Sequence, residues 1–428
     1  MSKISDMQSI KICIVGSFGI GDIGDEAMLT ADLQFIIETL HIRRDNIFLF
    51  GHDVDYMARY HTHPKDKCFS SDRLCKISER YRVRPQFHQM YRDALFRIKG
   101  FIRKMYTGSI NDCIIKDPEY SQEIQVVINS DVLLVTGGGT INSRSAKGES
   151  LYRISKIVSL FRRLGKPIFM SGQTIGPLGY YWNHNQIAKE LIESVDVLTV
   201  RDSGFSSRYI KLIGAQPKRY IETTDDAANL EYDSAVIPDD INDFIKQGPV
   251  WAINTTEYTA DTFEKRRFIA DLCNHIINER QKRVVFVPHA INDVAYLYSI
   301  YDLMPAGCQD SILLPDTSSW KGDMLKNLIS RCEVAIGGRY HFIVFAATSN
   351  TPFVGMCGNH YSFIKQCGFA KKFNLEHFIL NELDTWNMDQ LLLKADAACD
   401  NRFSISKQIQ TPSVSMHEFE SWLRTITK

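Results

Sequence analysis

Short apolar runs alternate with longer amphipathic patterns along most of the chain. The runs are rich in Val, Ile, Leu and Phe and end at Gly, Pro or charged residues, which is typical of buried parallel strands joined by helices. The pattern predicts a first series of strands at residues 11–15, 47–50, 131–135, 167–171, 195–200 and 219–222. It predicts a second series at residues 249–253, 283–287, 312–314, 333–336 and 352–356.

A polar stretch around Pro238 separates the two series and is typical of a linker. We therefore predict an α/β protein with two doubly wound, Rossmann-like lobes and an interlobe cleft. The predicted divisions are residues 1–235 for the first lobe, 236–400 for the second lobe and 401–428 for a C-terminal helical segment.

The segment at residues 57–106 interrupts this alternation with thirteen Lys and Arg against four Asp and Glu. Its last part, residues 91–106, spaces apolar side chains on one face of a predicted helix and basic side chains elsewhere. Such a helix can lie on an anionic membrane surface. Alternatively, it packs its apolar face on the core and leaves a solvated basic face.

The balance of charged residues and the spacing of the cysteines argue against several classes of protein. The 428 residues carry 50 Lys and Arg and 50 Asp and Glu, so the surface as a whole is not adapted to nucleic acid. The ten cysteines include no C-x-x-C pair, and we expect reduced thiols. No secretion signal or membrane-spanning run is apparent. We expect a cytoplasmic protein, with peripheral contact to the inner membrane face through residues 91–106.

The first strand leads into a loop with glycines and acids that is a candidate substrate site. Ligands of open parallel sheets bind beyond the carboxyl ends of the strands, and Gly19 and Gly21 would let the backbone approach one closely there. Asp22, Asp25 and Glu26 would repel a pyrophosphate, so a hydroxyl-rich ligand such as a sugar suits the loop better. Alternatively, Asp25 and Glu26 only cap the following helix.

Three further strand ends in the first series carry candidate residues. Gly138 and Gly139 follow the strand at residues 131–135 and form either a tight turn or an amide nest for an anion or sugar oxygen. Gln173 follows the strand at residues 167–171. Arg201 directly follows an apolar strand, so it either pairs with a carboxylate such as Asp202 or binds an anionic substrate.

The most informative segment in the second series is Gly338-Arg339-Tyr340-His341. A strand delivers a glycine, then a fixed cation and a titratable imidazole at the start of an apolar helix, where backbone amides favour anions. This combination predicts an anion site with an acid/base group. His289, which follows another predicted strand, is a secondary candidate, and Asp293 is a predicted helix cap.

Read in order, these motifs resemble the polysaccharide pyruvyl transferase family. The matching pieces are the G-x-G-D-x-G-D-E-A loop, the triple glycine at residues 137–139, Ser171 to Pro177, Val200-Arg201-Asp202, Asp225-Asp226-Ala227 and Gly338 to His341 with the Phe345-Ala346-Ala347 helix. The chain has Asp22 where many members have asparagine. The serine that usually follows the Arg-Asp pair is displaced to Ser203, Ser206 or Ser207.

The resemblance implies a GT-B-like fold and an enzyme that moves the enolpyruvyl group of phosphoenolpyruvate onto a sugar. The acceptor would belong to a cell-surface polysaccharide such as an exopolysaccharide or to its lipid-linked precursor, and the product would be a pyruvate ketal plus phosphate. The family's Arg-x-His motif falls on Arg339 and His341, and its strand-end arginine on Arg201. We expect the two guanidinium groups to bind the donor, His341 to act as general acid/base, and no metal or other cofactor to be required.

Two alternatives stay open at this point. A GT-B-like glycosyltransferase that uses a nucleotide sugar would have a similar fold, and so would a non-catalytic carbohydrate-binding protein, because fold alone does not decide function.

Overall fold

The computed structural model describes residues 7–80, 117–179, 183–402 and 415–427. The chain divides into two compact units. Unit 1 comprises residues 1–20, 32–223 and 414–428, and unit 2 comprises residues 21–31 and 224–413.

Unit 1 is built on an eight-stranded parallel sheet with the order β3, β2, β1, β4, β6, β7, β8, in which β5 pairs with β6. Its strands are β1 (Ile12–Val15), β2 (Ile47–Gly51), β3 (Cys68–Ser70), β4 (Val132–Val135), β5 (Gly138–Ile141), β6 (Ile168–Ile175), β7 (Val197–Val200) and β8 (Tyr220–Glu222). Every residue of β1 and β4 is apolar and buried, as expected for a parallel sheet covered on both faces.

The helices of unit 1 connect these strands. They are Val54–Tyr60, Ser71–Arg80, Ser121–Asn129, Glu149–Arg163, His184–Ser194, Phe205–Leu212 and the C-terminal Ser415–Ile426. One further helix, Ile23–Gln34, begins among the residues of unit 2 and ends among those of unit 1.

Unit 2 is built on a six-stranded parallel sheet with the order β11, β10, β9, β12, β13, β14. Its strands are β9 (Val250–Asn254), β10 (Arg283–Phe286), β11 (Ile312–Leu313), β12 (Val334–Gly337), β13 (Phe353–Met356) and β14 (Ile379–Leu380), and its helices are Asp239–Lys246, Phe263–Asn278, Ile291–Tyr301, Gly322–Ser330, Tyr340–Thr348, His360–Lys371 and Met388–Asp400. Numbered within the unit, this is the Rossmann order 3-2-1-4-5-6, which places the ligand crevice between the carboxyl ends of β9 and β12.

All the strands predicted from the apolar runs are present, and the sequence missed β3, β5 and β14. β3 and β14 are very short. β5 contains Gly138 and Gly139 and pairs with β6, so these residues form a strand where one of the two alternatives from the sequence was a tight turn. Glycine weakens a strand and offers no side chain to pack, so a sequence pattern assigns such residues to a turn.

The observed units differ from the three contiguous segments expected from the sequence. Residues 21–31 and 224–235 lie in unit 2, and the C-terminal helix belongs to unit 1. Ser415 at the start of that helix hydrogen-bonds to Thr199, Thr223 and the Gly172 amide, and Phe419 packs on Phe169. Long-range contacts of this kind leave no local signal in the sequence.

The basic segment is described only as far as Arg80. Arg73 pairs with Glu123, and Arg80 pairs with Asp117 and Glu119, so part of its charge is used for contacts inside unit 1. The predicted amphipathic helix at residues 91–106 lies outside the described residues. Within the described ranges, no helix has the length and apolar character needed to cross a membrane, and the nine described cysteines are free thiols.

Candidate active site

The site in unit 2 lies at the switch point between β9 and β12. β12 ends at Gly337, and Arg339 is the N-cap residue of the helix Tyr340–Thr348. Asn254, the last residue of β9, accepts the Arg339 amide at 2.9 Å with its Oδ1 atom and the Gly338 amide at 3.1 Å with its backbone carbonyl. The end of one strand therefore fixes the backbone that leads into this helix.

Close packing explains the glycine at 338. A Cβ atom there would lie 2.7 Å from Thr259 Oγ1, and the Gly338 carbonyl accepts a hydrogen bond from Gln366 at 2.7 Å. Gly338 was predicted to contact the substrate. In the structure, the loop after β9 and the helix His360–Lys371 approach its backbone.

Arg339 is held by two carboxylates. Its Nε and Nη2 atoms donate to Asp293 at 3.1 and 2.6 Å, and its Nη1 atom donates to Asp22 at 3.1 Å. Burial by itself would lower the pKa of Arg339, but Asp22 and Asp293 raise it above its usual value. The guanidinium group is therefore charged and held in one orientation. The Arg339 side chain is 24% exposed.

Asp293 joins the guanidinium group to a helix start. As the sequence suggested for a capping residue, Asp293 accepts hydrogen bonds from the His289 and Ala290 amides at the start of the helix Ile291–Tyr301. The same Oδ2 atom also accepts from Arg339.

Asp22 is fixed at the start of the helix Ile23–Gln34. Its Oδ1 atom accepts the Gly24 amide at 3.0 Å, and the Ile23 amide donates to the His289 carbonyl at 2.8 Å. Burial alone would raise the pKa of Asp22, but the positive charge of Arg339 lowers it below its usual value. Asp22 therefore acts as a permanent counter-ion of Arg339.

His341 is buried in the first turn of its helix, with 8% of its surface exposed. A Cβ atom on Gly24 would lie only 1.9 Å from His341 Nδ1, so the imidazole ring packs where only glycine leaves room. Its Nε2 atom lies 3.7 Å from Asp225 Oδ2 and has no hydrogen-bond partner. The side chains of Asp22 and Asp25 also approach the ring, and one ligand atom from each of the three residues lies within 4.8 Å of the others.

His289 is a neutral neighbour of this group. Its Nδ1 atom lies 3.2 Å from the Val287 carbonyl, and its ring stacks on Phe345 and meets the edge of Phe342. Burial and then the charge of Arg339 lower the pKa of His289 to about 3. A carbonyl can only accept, so the shorter of the two Nδ1 contacts favours a proton on this atom, whereas the Asn254 Nδ2 group, which donates, lies farther away at 3.5 Å. The Nε2 atom has no hydrogen-bond partner.

Replacing His289 with asparagine is expected to reduce the acid sensitivity of folding. The unfolded chain takes up a proton on this side chain below pH 6.5 while the folded chain does not until about pH 3. The wild type therefore loses stability as the pH falls from 6.5, by up to about 1.4 kcal/mol per pH unit from this group. Urea unfolding at pH 7 and pH 5 measures the difference. The exposed His377 provides the control variant His377→Asn, and equal pH dependence in the wild type and His289→Asn would contradict the assignment.

Asp22, Asp25 and His341 form the group of described residues that comes nearest to a set of metal ligands. Asp22, however, already accepts from Arg339 and from the Gly24 amide. The guanidinium group supplies the positive charge that this carboxylate requires, and a divalent cation would be repelled by it. Arg339 therefore balances the charge of one of the three side chains in this group.

The candidates in unit 1 lie at the carboxyl ends of β6 and β7. Arg201 is buried, and its Nε atom donates to Thr174 Oγ1 at 3.0 Å. Asp202 accepts from the amide and hydroxyl of Ser206, so this candidate serine contacts the aspartate of the Arg-Asp pair. Gln173 is fully buried, and its amide group bonds to Thr140 Oγ1 and to the carbonyls of Thr136 and Ser171.

The remaining candidates are placed by their loops. Gly19 lies in unit 1 with a φ of 85°, and its carbonyl accepts the Asp53 amide. Gly21 lies in unit 2 with a φ of 77°, and a Cβ atom there would meet no atom within 4 Å. Gly139 accepts a hydrogen bond from Asn142 within unit 1. Glu26 is completely buried in the helix that begins at Ile23.

The structure thus brings Asp22, Asp25, His289, Arg339 and His341 together in unit 2, and places Gln173 and Arg201 together in unit 1. The model of the polysaccharide pyruvyl transferase family matches residues 34–361. The chain belongs to the polysaccharide pyruvyl transferase family. It is accordingly a transferase, and the resemblance seen in the motifs is confirmed.

Solved structures share the fold at low sequence identity. A Listeria monocytogenes protein assigned as a UDP-N-acetylglucosamine 2-epimerase has a TM-score of 0.58 at 12% identity, over 95% of this chain and 92% of that one. The Rickettsia bellii UDP-N-acetylglucosamine 2-epimerase has a TM-score of 0.57 at 11% identity, over 98% and 97%. The Neisseria meningitidis enzyme bound to UDP-GlcNAc has a TM-score of 0.53 at 10% identity, over 94% of each chain. These matches confirm the predicted two-lobed, GT-B-like fold, and a search of the curated proteins finds no match.

Sequence reasoning about this pyruvyl transferase missed three relationships in unit 2. Asp293 was expected to cap a helix, and its second role on Arg339 was not foreseen. Asp225 was recognised only as part of the Asp225-Asp226-Ala227 motif, and the structure places it beside His341. The charge at position 22, where many members have asparagine, has Arg339 as its partner. The aspartate at a position where many members have asparagine was the available signal in the sequence.

Proposed function

We propose that this pyruvyl transferase uses phosphoenolpyruvate as donor and forms a pyruvate ketal on a sugar of a cell-surface polysaccharide or of its lipid-linked precursor. One sugar hydroxyl adds to C2 of the enol phosphate while the methylene carbon takes up a proton and becomes a methyl group. A second hydroxyl displaces phosphate and closes the ketal. The two hydroxyl groups lose one proton each. One of these protons matches the proton that the methylene carbon takes up, and the other leaves with phosphate.

The observation that carries the proposal is the environment of His341. A buried imidazole lies in the first turn of a helix, directly after the oriented guanidinium of Arg339 and beside the carboxylates of Asp22 and Asp25. Protonation of a carbon requires a general acid that is shielded from bulk water and held in place. His341 supplies an imidazole at this switch point, and histidine is the side chain most often used as a general acid or base.

Arg339 is the proposed contact for the anionic donor in unit 2. Three of its five N–H groups are directed at Asp22 and Asp293, which fixes the orientation of the remaining two. The amides at the start of the Tyr340–Thr348 helix favour an anion at the same place. Arg201 in unit 1 stays a predicted donor contact on the basis of the family motif.

The test is to incubate the purified chain with a sugar acceptor and either phosphoenolpyruvate or a UDP-sugar. We expect release of inorganic phosphate and an acceptor heavier by one pyruvate ketal with phosphoenolpyruvate, and no UDP from the UDP-sugar. The assay is run with and without EDTA, because the proposed reaction needs no metal or other cofactor and we expect equal rates.

Two other outcomes would replace the proposal. Release of UDP with transfer of the sugar would favour a glycosyltransferase that uses a nucleotide sugar. A nucleotide sugar, UDP-GlcNAc, is the ligand bound in the Neisseria meningitidis structure. Binding of phosphoenolpyruvate without turnover, with every acceptor tried, would favour a carbohydrate-binding protein. Comparing surface glycans of cells with and without the protein by mass spectrometry identifies the natural acceptor.

A further inference from the structure

The helix that carries His341 packs against the short helical turn Asp226–Asn229 within unit 2. Asp225 precedes this turn and is completely buried. Its Oδ1 atom accepts the Ala227 amide at 2.9 Å, so the carboxylate is anchored to the backbone. Its other oxygen, Oδ2, is the atom that lies 3.7 Å from His341 Nε2.

Lys326 fixes the same turn from the helix Gly322–Ser330. Its buried ammonium group donates to the carbonyls of Ala228 and Leu230, both at 2.9 Å. Burial lowers the pKa of Lys326 to about 7, while Asp233 and Asp225 oppose the shift. These two hydrogen bonds hold the backbone of the turn in place beside the helix that carries His341.

We propose that Asp225 is a positioning residue that accepts the Nε2 proton of His341 and thereby fixes the tautomer and orientation of the imidazole. This inference rests on the proposed function of His341 as the general acid/base. A distance of 3.7 Å is too long for a hydrogen bond, but such contacts are often long without substrate and tighten in the reacting complex. In this tautomer Nδ1, which packs against Gly24, carries the lone pair and not the proton.

The substitution Asp225→Asn keeps the shape of the side chain but removes its negative charge and replaces one acceptor oxygen with an NH₂ donor. The variant Asp225→Asn can still cap the Ala227 amide through its carbonyl oxygen, but its NH₂ group can donate to Nε2 and so favour the opposite tautomer. Asp226→Asn removes the next carboxylate in the same turn and is the matched control. Asp225→Ser, which can also cap a helix start, is the second variant if Asp225→Asn does not fold.

The first measurement is ¹⁵N NMR of the full chain labelled at histidine, at a pH where the ring is neutral. The His341 signals are assigned by their loss in His341→Gln. We expect His341 to carry its proton on Nε2 in the wild type and in Asp226→Asn, and to lose that preference in Asp225→Asn. A wild-type ring protonated on Nδ1, or a tautomer unchanged by Asp225→Asn, would overturn the proposal.

The second measurement is steady-state turnover with phosphoenolpyruvate. We expect kcat of Asp225→Asn to fall at least about tenfold, less than in His341→Ala, with KM for the donor nearly unchanged. Equal kcat in Asp225→Asn and the wild type would also overturn the positioning role. If the NMR result is as expected but the wild type never consumes phosphoenolpyruvate, the pairing stands and the proposed function fails.

Discussion

Replacing His341 with alanine is expected to lower kcat by about 10²–10⁴ while leaving the affinity for phosphoenolpyruvate largely intact. The imidazole is the proposed acid/base group, whereas the donor anion is proposed to contact Arg339 and the amides at the helix start. Removing a side chain that acts only in the transition state lowers kcat without a matching change in donor binding. Phosphate release gives kcat, and calorimetric titration with phosphoenolpyruvate gives the dissociation constant.

The exposed His377 supplies the matched control. It precedes β14, at the opposite end of the strand from the carboxyl edge, so His377→Ala should keep wild-type turnover. Full activity of His341→Ala would remove this residue from the mechanism. Equal loss of activity and donor affinity, with an unchanged melting temperature, would instead make His341 a binding residue.

Replacing Gly24 with alanine is expected to lower kcat by about 10², a loss typical of a catalytic group displaced by about 1 Å. The added methyl group would lie 1.9 Å from His341 Nδ1, so the ring or the helix start has to move. Alanine favours a helix over glycine by about 1 kcal/mol, whereas overpacking a buried site costs about 1–3 kcal/mol, so we expect the loss of turnover to exceed the loss of stability. Turnover and urea unfolding of the same preparations separate the two effects.

Gly21 is the comparison position for this prediction. It has a φ of 77°, which disfavours alanine, but a Cβ atom there meets no atom within 4 Å. Gly21→Ala should therefore lower stability without displacing the imidazole, whereas Gly24→Ala should displace it. The steric argument fails if Gly24→Ala retains both wild-type kcat and the wild-type NMR signals of His341.

Local pattern was sufficient for eleven of the fourteen described strands and for the loops that follow them. Apolar runs such as β1 and β4 are buried along their whole length, and runs of this kind have few alternatives to a covered parallel sheet. The glycine-rich β5 was missed because its pairing with β6 comes from its position beside that strand rather than from its own residues.

The candidate residues at 22, 25, 289, 339 and 341 were also recognisable from sequence, since they follow strands or begin helices. Their partners were not. Asp22 and Arg339 are separated by 317 positions in the chain, and Asp293 and Arg339 by 46. Nothing in the residues around Arg339 shows that two distant carboxylates hold its guanidinium group.

The amino-acid sequence by itself determined the α/β class, the strand ends that carry the chemistry and the pyruvyl transferase family, because these depend on hydrophobic periodicity and short motifs. Only the tertiary structure decided that residues 21–31 join the second Rossmann-like unit, that Gly24 makes room for His341 and that Asp225 faces its ring. These features arise from contacts between segments far apart in the chain. Such contacts depend on how helices pack on the sheet, and that packing is not encoded in any single stretch of residues.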